Sequence, residues 1–240
     1  MSTPARGPGR LYVIPSLLGV VPPAAVLPRR TIETARGLAH FVVETPRAAR
    51  QFLKTLDMPR PLSSIAMAEL SEHTPAQHAR ELLEPALQGH DLGLLTDAGC
   101  PGVADPGAPL VRAAHEADVQ VVPLVGPSAV LLALMASGMN GQAFVFHGYL
   151  PVKPQAREAA LHSLDRAAAG ATQIFIETPY RNDAMIAAVL AACRAESYFG
   201  LAVDLTLPAE QVLCRTVAEW RSAPRIEPGK RPAIFLLNRS

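Results

Sequence analysis

Short apolar runs alternate along the chain with segments whose apolar residues recur at helical spacing. In the first half this pattern predicts strands at residues 11–14, 41–43, 64–67, 92–96 and 119–124, and helices at residues 28–40, 47–56, 74–87, 109–117 and 128–137. Short apolar strands that alternate with amphipathic helices are typical of α/β proteins with parallel sheets. We therefore predict an α/β domain with a mostly parallel sheet in this half.

The second half contains less helix between its strands. The pattern predicts strands at residues 143–147, 173–176, 198–203, 211–215 and 233–237, with helices at residues 155–168 and 181–193. Strands that follow one another without helices favour antiparallel neighbours, so this sheet is expected to be mixed. We place the boundary near Gly126, which gives an N-terminal α/β domain at 11–126 and a C-terminal α/β domain at 127–240.

One short pattern occurs in both halves. An apolar strand is followed by Glu44-Thr45-Pro46 in the first half and by Glu177-Thr178-Pro179 in the second. Thr as N-cap and Pro as first helical residue are ordinary helix-start signals. A helix start does not explain a glutamate at the carboxyl end of a strand, where ligands of α/β proteins bind. Glu44 and Glu177 are therefore candidate functional residues.

The segment LLTDAGCPGVADPG places a loop of small residues directly after a predicted strand. It contains neither a phosphate-binding GxxxxGK[ST] motif nor a GxGxxG fingerprint. Ala98, Gly99, Gly102 and Ala104 would let a ligand lie against the main chain, which favours recognition by backbone groups. Asp105-Pro106 is interpreted as an N-cap followed by the first residue of the next helix. For Asp97, contact with a ligand and bracing of the loop are both open.

Composition and charge alone argue neither for nor against nucleic-acid binding. The formal net charge is +1 and aromatic residues make up 5% of the chain, so neither a strongly basic surface nor a base-stacking platform is indicated. The three cysteines are far apart in sequence, which is typical of a reduced cytoplasmic protein and gives no reason to expect a metal. No uninterrupted apolar run is long enough to span a membrane.

No common catalytic motif is present, since the serines lack a GxSxG context and the histidines form no HExxH pair. The chemistry is therefore expected to come from a bound cofactor whose reactive group is already activated. Such a cofactor needs a shaped pocket and an oriented acceptor rather than a nucleophile supplied by the protein.

Several motifs, in order, resemble those of one family. DAGCPGVADPG resembles the DAGxPxxxDPG motif of the ribosomal RNA ribose methyltransferase branch of the tetrapyrrole methylase superfamily, and VPLVGPSAVLLALMASG, FVFHGYLP, FIETPYR and RPAIFLL follow in the same order. The resemblance implies S-adenosylmethionine bound in a cleft between two α/β domains, and a homodimer. The residues that it assigns to the cofactor are Pro15, Ala98, Gly99, Cys100, Val103, Ser128, Ala129 and Ala233, with Leu205 and Glu177 on looser motifs. Asp97 joins these candidate cofactor-binding residues through its position at the head of the loop.

The chain departs from the family pattern at three places. The usual TPxGNLxD is IPSLLGV here, AEDTR is VETPR with Thr45 in place of the aspartate, and RELTK is VDLTL with Leu207 in place of the lysine. The cofactor motifs are intact whereas motifs expected on the acceptor side are altered. The chain is therefore expected to be a divergent paralogue.

The leading hypothesis is an S-adenosylmethionine-dependent methyltransferase that O-methylates ribosomal RNA. Alternatives are methylation of a small molecule such as a tetrapyrrole-like macrocycle, and a cofactor-binding module without catalysis. Methyl transfer to a hydroxyl gains from a positioning carboxylate, so Glu44 and Glu177 are the candidate catalytic residues, with Arg47 and Arg181 as orienting cations. Alternatively, both glutamates form ion pairs with these arginines and only brace the fold.

Overall fold

The chain divides after Ser128 into two units, unit 1 up to Ser128 and unit 2 from Ala129 onward. The structure, a computed structural model, describes residues 7–71, 73–222, 224 and 227–239. Each unit contains one five-stranded sheet. The units are described separately below.

The sheet of unit 1 is entirely parallel, as the alternating pattern predicts. Its strands are β1 (Arg10–Ile14), β2 (His40–Val43), β3 (Ala66–Glu69), β4 (Leu92–Leu95) and β5 (Gln120–Pro123), in the order β3-β2-β4-β1-β5. Because every strand runs in the same direction, all five carboxyl ends lie at one edge of the sheet. The order also makes β2 the neighbour of β4, although β3 lies between them in sequence.

The helices of unit 1 are α1 (Arg29–Gly37), α2 (Pro46–Thr55), α3 (Glu84–Leu87) and α4 (Ala108–Glu116). The single helix predicted at residues 74–87 is wrong. The chain there forms 3-10 turns at Ala76–Ala79 and Glu81–Leu83 before the short α3. Pro85 lies within this segment, where its ring and missing N–H oppose a continuous α-helix.

Two further boundaries in unit 1 differ from the prediction. The helix predicted at residues 28–40 ends at Gly37, because Leu38 is extended and β2 begins at His40. The strand predicted at residues 64–67 lies two residues later, because Leu62–Ser64 forms a 3-10 turn after Pro61. A further 3-10 turn, Pro23–Ala25, lies in a segment for which no element was predicted.

The sheet of unit 2 is mixed, as predicted. Its strands are β6 (Phe144–Tyr149), β7 (Thr172–Ile176), β8 (Tyr198–Val203), β9 (Gln211–Thr216) and β10 (Ala233–Asn238), in the order β6-β7-β10-β8-β9. Only the β6–β7 pair is parallel. The helices are α5 (Ala129–Ser137), α6 (Pro154–Ala167), α7 (Asn182–Ala192) and α8 (Val217–Ser222), with a 3-10 turn at Pro179–Arg181 before α7. The sequence analysis did not predict α8.

Both faces of the unit 1 sheet are buried. Successive residues of β2 show this, since Val42 packs in one apolar cluster with Leu94 while Phe41 and Val43 pack in the other. Burial on both faces is what a parallel sheet covered by crossover helices requires. None of the helices in the described part of the chain is long and apolar enough to cross a membrane.

The core of unit 2 is built around aromatic residues. The rings of Phe175 and Phe235 stack with centroids 5.4 Å apart, and Trp220 of α8 packs against Phe199. Trp220 is fully buried, and its Nε1 donates a hydrogen bond to the carbonyl of Phe199 at 2.7 Å. This hydrogen bond satisfies the one polar atom of the indole and attaches α8 to the sheet.

Candidate functional site

The carboxyl edge of the unit 1 sheet brings together segments that are far apart in sequence. Pro15 follows β1, Glu44 follows β2, and Thr96 and Asp97 follow β4. Two backbone hydrogen bonds join these segments: Ser16 N donates to Gly99 O at 2.9 Å, and Glu44 N donates to Leu95 O at 3.1 Å. The topology therefore places two of the candidate segments, around Pro15 and Glu44, against the DAGCPG loop.

Glu44 and Asp97 are joined by a network of neutral donors. Glu44 Oε2 accepts hydrogen bonds from Thr96 Oγ1 at 2.7 Å and from Asp97 N at 3.0 Å. In return, Thr45 Oγ1 donates to Asp97 Oδ2 at 2.8 Å. Thr45 occupies the N-cap position of α2, but its side chain does not cap the helix. Its hydroxyl donates to the carboxylate of Asp97 instead of to the backbone of the helix.

The second oxygen of Glu44, Oε1, accepts no hydrogen bond from the described residues. Arg47, the cation predicted to orient it, is exposed and makes no ion pair within the described part of the chain. The interpretation that Glu44 is neutralised by Arg47 therefore has no contact to support it. Glu44 is half-buried at the end of its strand with one oxygen available to a further donor.

Asp97 is exposed overall, but its carboxyl lies close to Glu44. Partial burial raises the pKa of this carboxyl, and the charge of Glu44 adds to the rise, while the hydrogen bond from Thr45 opposes it. The same hydrogen bond fixes the orientation of the carboxylate. The structure thus shows Asp97 bracing the loop, and its contact with a ligand stays a prediction.

The loop after Asp97 follows a tight path with residues in the left-handed region, Gly99 at φ 75°, Gly102 at φ 84° and Ala104 at φ 61°. Asp105 stabilises this path, because its carboxylate accepts hydrogen bonds from Gly102 N and Gly107 N, the latter at 2.6 Å. The interpretation of Asp105-Pro106 as a helix start is therefore wrong. Gly107 is in the N-cap position and α4 begins at Ala108.

The remaining unit 1 candidates lie on or beside this loop. Cys100 Sγ donates to Pro127 O at 3.4 Å, and burial together with the charge of Asp105 raises the pKa of its thiol. Ala98 and Val103 are exposed and Gly99 is buried, while Ser128 is the last residue of the unit. Beside Gly99, the buried Ser16 Oγ has no hydrogen-bond partner among the described residues. This loop offers main-chain groups and one unpaired hydroxyl, as recognition of a ligand by the backbone requires.

In unit 2 the candidates also meet at one sheet edge. Since β10 is antiparallel to both β7 and β8, its amino end lies beside their carboxyl ends. Glu177 follows β7, Leu205 follows β8, and Ala233 begins β10, with Asp204 N donating to Pro232 O at 3.1 Å. Leu205 and Ala233 are buried. Ala129 is the first residue of α5.

Glu177 forms the ion pair that the sequence analysis gave as an alternative. Its side chain is fully buried, and Oε1 accepts hydrogen bonds from Arg181 Nε at 2.9 Å, Arg181 Nη2 at 2.5 Å and Thr178 N at 2.7 Å. Burial opposes ionisation, but the hydrogen bonds from Arg181 and Thr178 outweigh it and hold the pKa of Glu177 below its usual value. Its other oxygen, Oε2, has no partner within the described chain.

The structure adds polar residues that the sequence analysis did not select. Asn182 is buried, and its Nδ2 donates to the carbonyls of Gly229 and Arg231, while Arg231 Nη1 contacts Asp204 Oδ2 at 3.3 Å. Asp204 has φ 52°, an unusual conformation for a residue other than glycine. In unit 1, Thr96 was also missed. A hydroxyl or carboxyl residue at a strand end is the signal that Thr96 and Asp204 share.

No group of three or more His, Cys, Asp or Glu side chains that could hold a metal ion occurs among the residues that the structure describes.

Comparison with known proteins gives consistent matches. The model of the family described as "Tetrapyrrole (Corrin/Porphyrin) Methylases" matches residues 25–220. The ribosomal RNA small subunit methyltransferase I of Micromonospora olivasterospora is 37% identical over 92% of this chain and 67% of the relative. The protein of the same name from Escherichia coli O157:H7 is 31% identical over 95% of this chain and 77% of the relative.

Among solved structures, the fold resembles uroporphyrin-III C-methyltransferase from Thermus thermophilus, solved in complex with S-adenosylhomocysteine. The TM-score is 0.56 at 16% identity, over 96% of this chain and 97% of that protein. This likeness concerns the fold.

Proposed function

Because the chain belongs to the tetrapyrrole methylase family and is a methyltransferase, we propose that it transfers a methyl group from S-adenosylmethionine to small-subunit ribosomal RNA. The relatives at 31–37% identity are named as methyltransferases of small-subunit ribosomal RNA, and they match nearly the whole chain. S-adenosylmethionine, when bound, supplies a methyl group already activated on a sulfonium. The task left to the protein is to hold the acceptor in line with it.

The loop of unit 1 fits such a cofactor. Its left-handed residues expose main-chain groups, its side chains are small, and Ser16 Oγ offers an unpaired polar atom beside it. We propose that Pro15, Ala98, Gly99, Cys100, Val103 and Ser128 contact the cofactor, with Asp97 at the head of the loop. For Ala129, Leu205, Ala233 and Glu177 of unit 2, contact with the cofactor stays a prediction.

The observation that carries the proposal is the free oxygen of Glu44. Neutral donors fix its Oε2, and no cation among the residues that the structure describes binds its Oε1, so that oxygen can accept a hydrogen bond from an acceptor hydroxyl. A carboxylate in this state can position the hydroxyl and take up its proton as the methyl group is transferred. The exposed Arg47, in the first turn of α2, is proposed to orient the acceptor.

Glu177 is proposed to act differently. Arg181 and Thr178 occupy its Oε1 and keep it anionic, so it is suited to positioning through Arg181 rather than to taking up a proton. Thr45 and Leu207 replace the acidic and basic residues of the family pattern. We propose that these replacements change how the acceptor is oriented and leave the methyl donor unchanged.

We also propose that the protein acts as a homodimer in the cytoplasm. Phe144, Val145 and Tyr149 of the edge strand β6 are 40%, 45% and 57% exposed, and Met135 of α5 is 78% exposed. Because β6 is at the edge of its sheet, the large apolar side chains that it exposes favour pairing with a partner along this strand. Molecular-mass measurement by light scattering tests the dimer, and a monomeric mass would contradict it.

The test of the activity is transfer of a labelled methyl group by the purified protein. The acceptors are small ribosomal subunits, total RNA and a small-molecule extract, all from cells lacking the gene. We expect label in small-subunit RNA. Label confined to the small-molecule fraction would assign a tetrapyrrole-like or other small acceptor instead. No label in any fraction, with S-adenosylhomocysteine still bound, would make the protein a non-catalytic binding module.

A further inference from the structure

The helix α2 carries an exposed row of three cations, of which the methyl-transfer site explains only Arg47. Arg47, Arg50 and Lys54 are separated by three and four residues, and all three are exposed. Residues at these spacings lie above one another on the same side of a helix. The opposite side of α2 packs into the core through Ala49, Phe52 and Leu53. The cations therefore form one stripe that faces away from the core of unit 1.

The charge of this stripe is not neutralised within the described chain. Arg47, Arg50 and Lys54 make no ion pair and no side-chain hydrogen bond there. The helix itself has no carboxylate, whereas each of the other described α-helices with a cation also carries an acidic residue. In a chain whose net charge is only +1, this is a local concentration of unpaired positive charge.

The position of the stripe links it to the candidate site. Pro46, the first residue of α2, follows Glu44 by two residues, so Arg47 lies in the first turn beside the carboxyl edge of the sheet. From there the stripe runs along the helix to Lys54, close to its end. A chain-like polyanion that reaches Glu44 could therefore continue along α2, with its phosphates facing the cations.

We propose that Arg47, Arg50 and Lys54 form a phosphate-binding stripe on which the RNA backbone flanking the target nucleotide docks. This inference rests on the proposed function, since it takes RNA as the acceptor. Exposed lysines and arginines that contact phosphates supply affinity and register, while base identity is read elsewhere. The stripe thus explains how a protein of nearly balanced charge holds an RNA.

The test compares two double variants of equal charge change. R50A/K54A removes the outer part of the stripe and leaves Arg47 in place. R112A/R166A removes two exposed arginines from α4 and α6, helices that also carry acidic residues. Binding to a transcript of small-subunit ribosomal RNA is measured over a series of salt concentrations, together with the affinity for S-adenosylhomocysteine and the melting temperature.

For R50A/K54A we expect roughly tenfold weaker RNA binding at low salt. The slope of log affinity against log salt should fall by about 1.5 to 2, because each lost phosphate contact lowers it by about 1. R112A/R166A should stay within about twofold of the wild type, and neither variant should change cofactor affinity. The charge-reversal variant R50E/K54E, with an unchanged melting temperature, should bind more weakly still.

Equal behaviour of the two double variants, or an unchanged salt slope in R50A/K54A, would overturn the stripe while the wild type still methylates RNA. A wild type that binds S-adenosylhomocysteine but neither binds nor methylates RNA would overturn the proposed function and the stripe together.

Discussion

The carboxyl edges of the two sheets begin from the same local pattern, a strand followed by Glu-Thr-Pro, yet they are stabilised in different ways. In unit 1, Glu44 is held by a hydroxyl and a backbone N–H, and Arg47 points to no carboxylate in the described chain. In unit 2, Glu177 is buried and bonded by Arg181. The same three residues therefore lead to an available carboxylate in one unit and a closed ion pair in the other.

The difference comes from the neighbouring strands rather than from the pattern itself. Beside β2 lies β4, whose end presents Thr96 and Asp97 as donors to Glu44. Glu177 instead obtains its donors from the residues that directly follow it, because the 3-10 turn Pro179–Arg181 brings Arg181 back to its carboxylate. A carboxylate fixed by neutral donors retains one free oxygen for an acceptor, whereas a paired carboxylate acts through its cation.

The largest expected effect on stability is that of Glu177→Gln. The buried side chain loses its charge-assisted bonds to Arg181, and the new amide brings donors to the place of Oε2, which has no partner. We expect a loss of about 2 kcal/mol in the free energy of unfolding. The matched change Glu44→Gln should cost less than about 1 kcal/mol, since Thr96 and Asp97 N can still donate to an amide oxygen. Urea unfolding of both variants measures the difference, and equal losses would contradict the comparison.

The next largest effect on stability is expected from close backbone packing at the carboxyl edge of the unit 1 sheet. A Cβ added to Gly126 would lie 2.4 Å from Pro15 Cβ and 3.0 Å from Leu27 Cδ2. Gly126→Ala should therefore displace Pro15, lower stability by about 1–2 kcal/mol and weaken cofactor binding. Gly141→Ala is the control, because a Cβ there meets no atom within 4 Å. Calorimetric titration with S-adenosylhomocysteine and urea unfolding measure both effects. Wild-type affinity in both variants would contradict the packing argument.

The smallest expected effect is a pH dependence of opposite sign in the two units. The pKa of Glu177 is lowered from its usual 4.5, so its stabilisation is complete above that value and is lost as the pH falls through the lowered pKa. The pKa of Asp97 is raised from 3.8, so its ionised form costs stability that is recovered as the pH falls towards 3.8.

Acidification from pH 7 should therefore reduce the deficit of Glu177→Gln relative to the wild type. It should also reduce any advantage of Asp97→Asn. Urea midpoints measured at each pH check both trends. Parallel curves for wild type and Glu177→Gln would show that the pKa of Glu177 does not change on folding, and would contradict the assigned effect of the ion pair.

Much of the fold follows from the sequence because the relevant signals are local. Apolar runs located β4 and β10 within one residue at each end, and the spacing of strands and helices indicated one parallel and one mixed sheet. The prediction of one helix at residues 74–87 was wrong because Pro85 interrupts the segment. In that segment the apolar residues keep helical spacing although the backbone does not stay α-helical.

The site was less predictable, because its contacts depend on strand order. Glu44 and Thr96 are 52 residues apart and meet only because β2 and β4 are neighbours. No local sequence pattern predicts that these two strands are neighbours in the sheet. For the same reason the sequence left the role of Asp97 open. Asp105 was predicted to start a helix, but in the structure its carboxylate accepts hydrogen bonds within the loop.

The central claim, that Glu44 serves the acceptor while the DAGCPG loop serves the cofactor, is tested most directly by Glu44→Gln. The measurement pairs the single-turnover rate of methyl transfer to small ribosomal subunits with the affinity for S-adenosylhomocysteine. We predict a rate about 100-fold lower, with affinity within about twofold of the wild type. Loss of cofactor affinity, or a rate equal to that of the wild type, would contradict it.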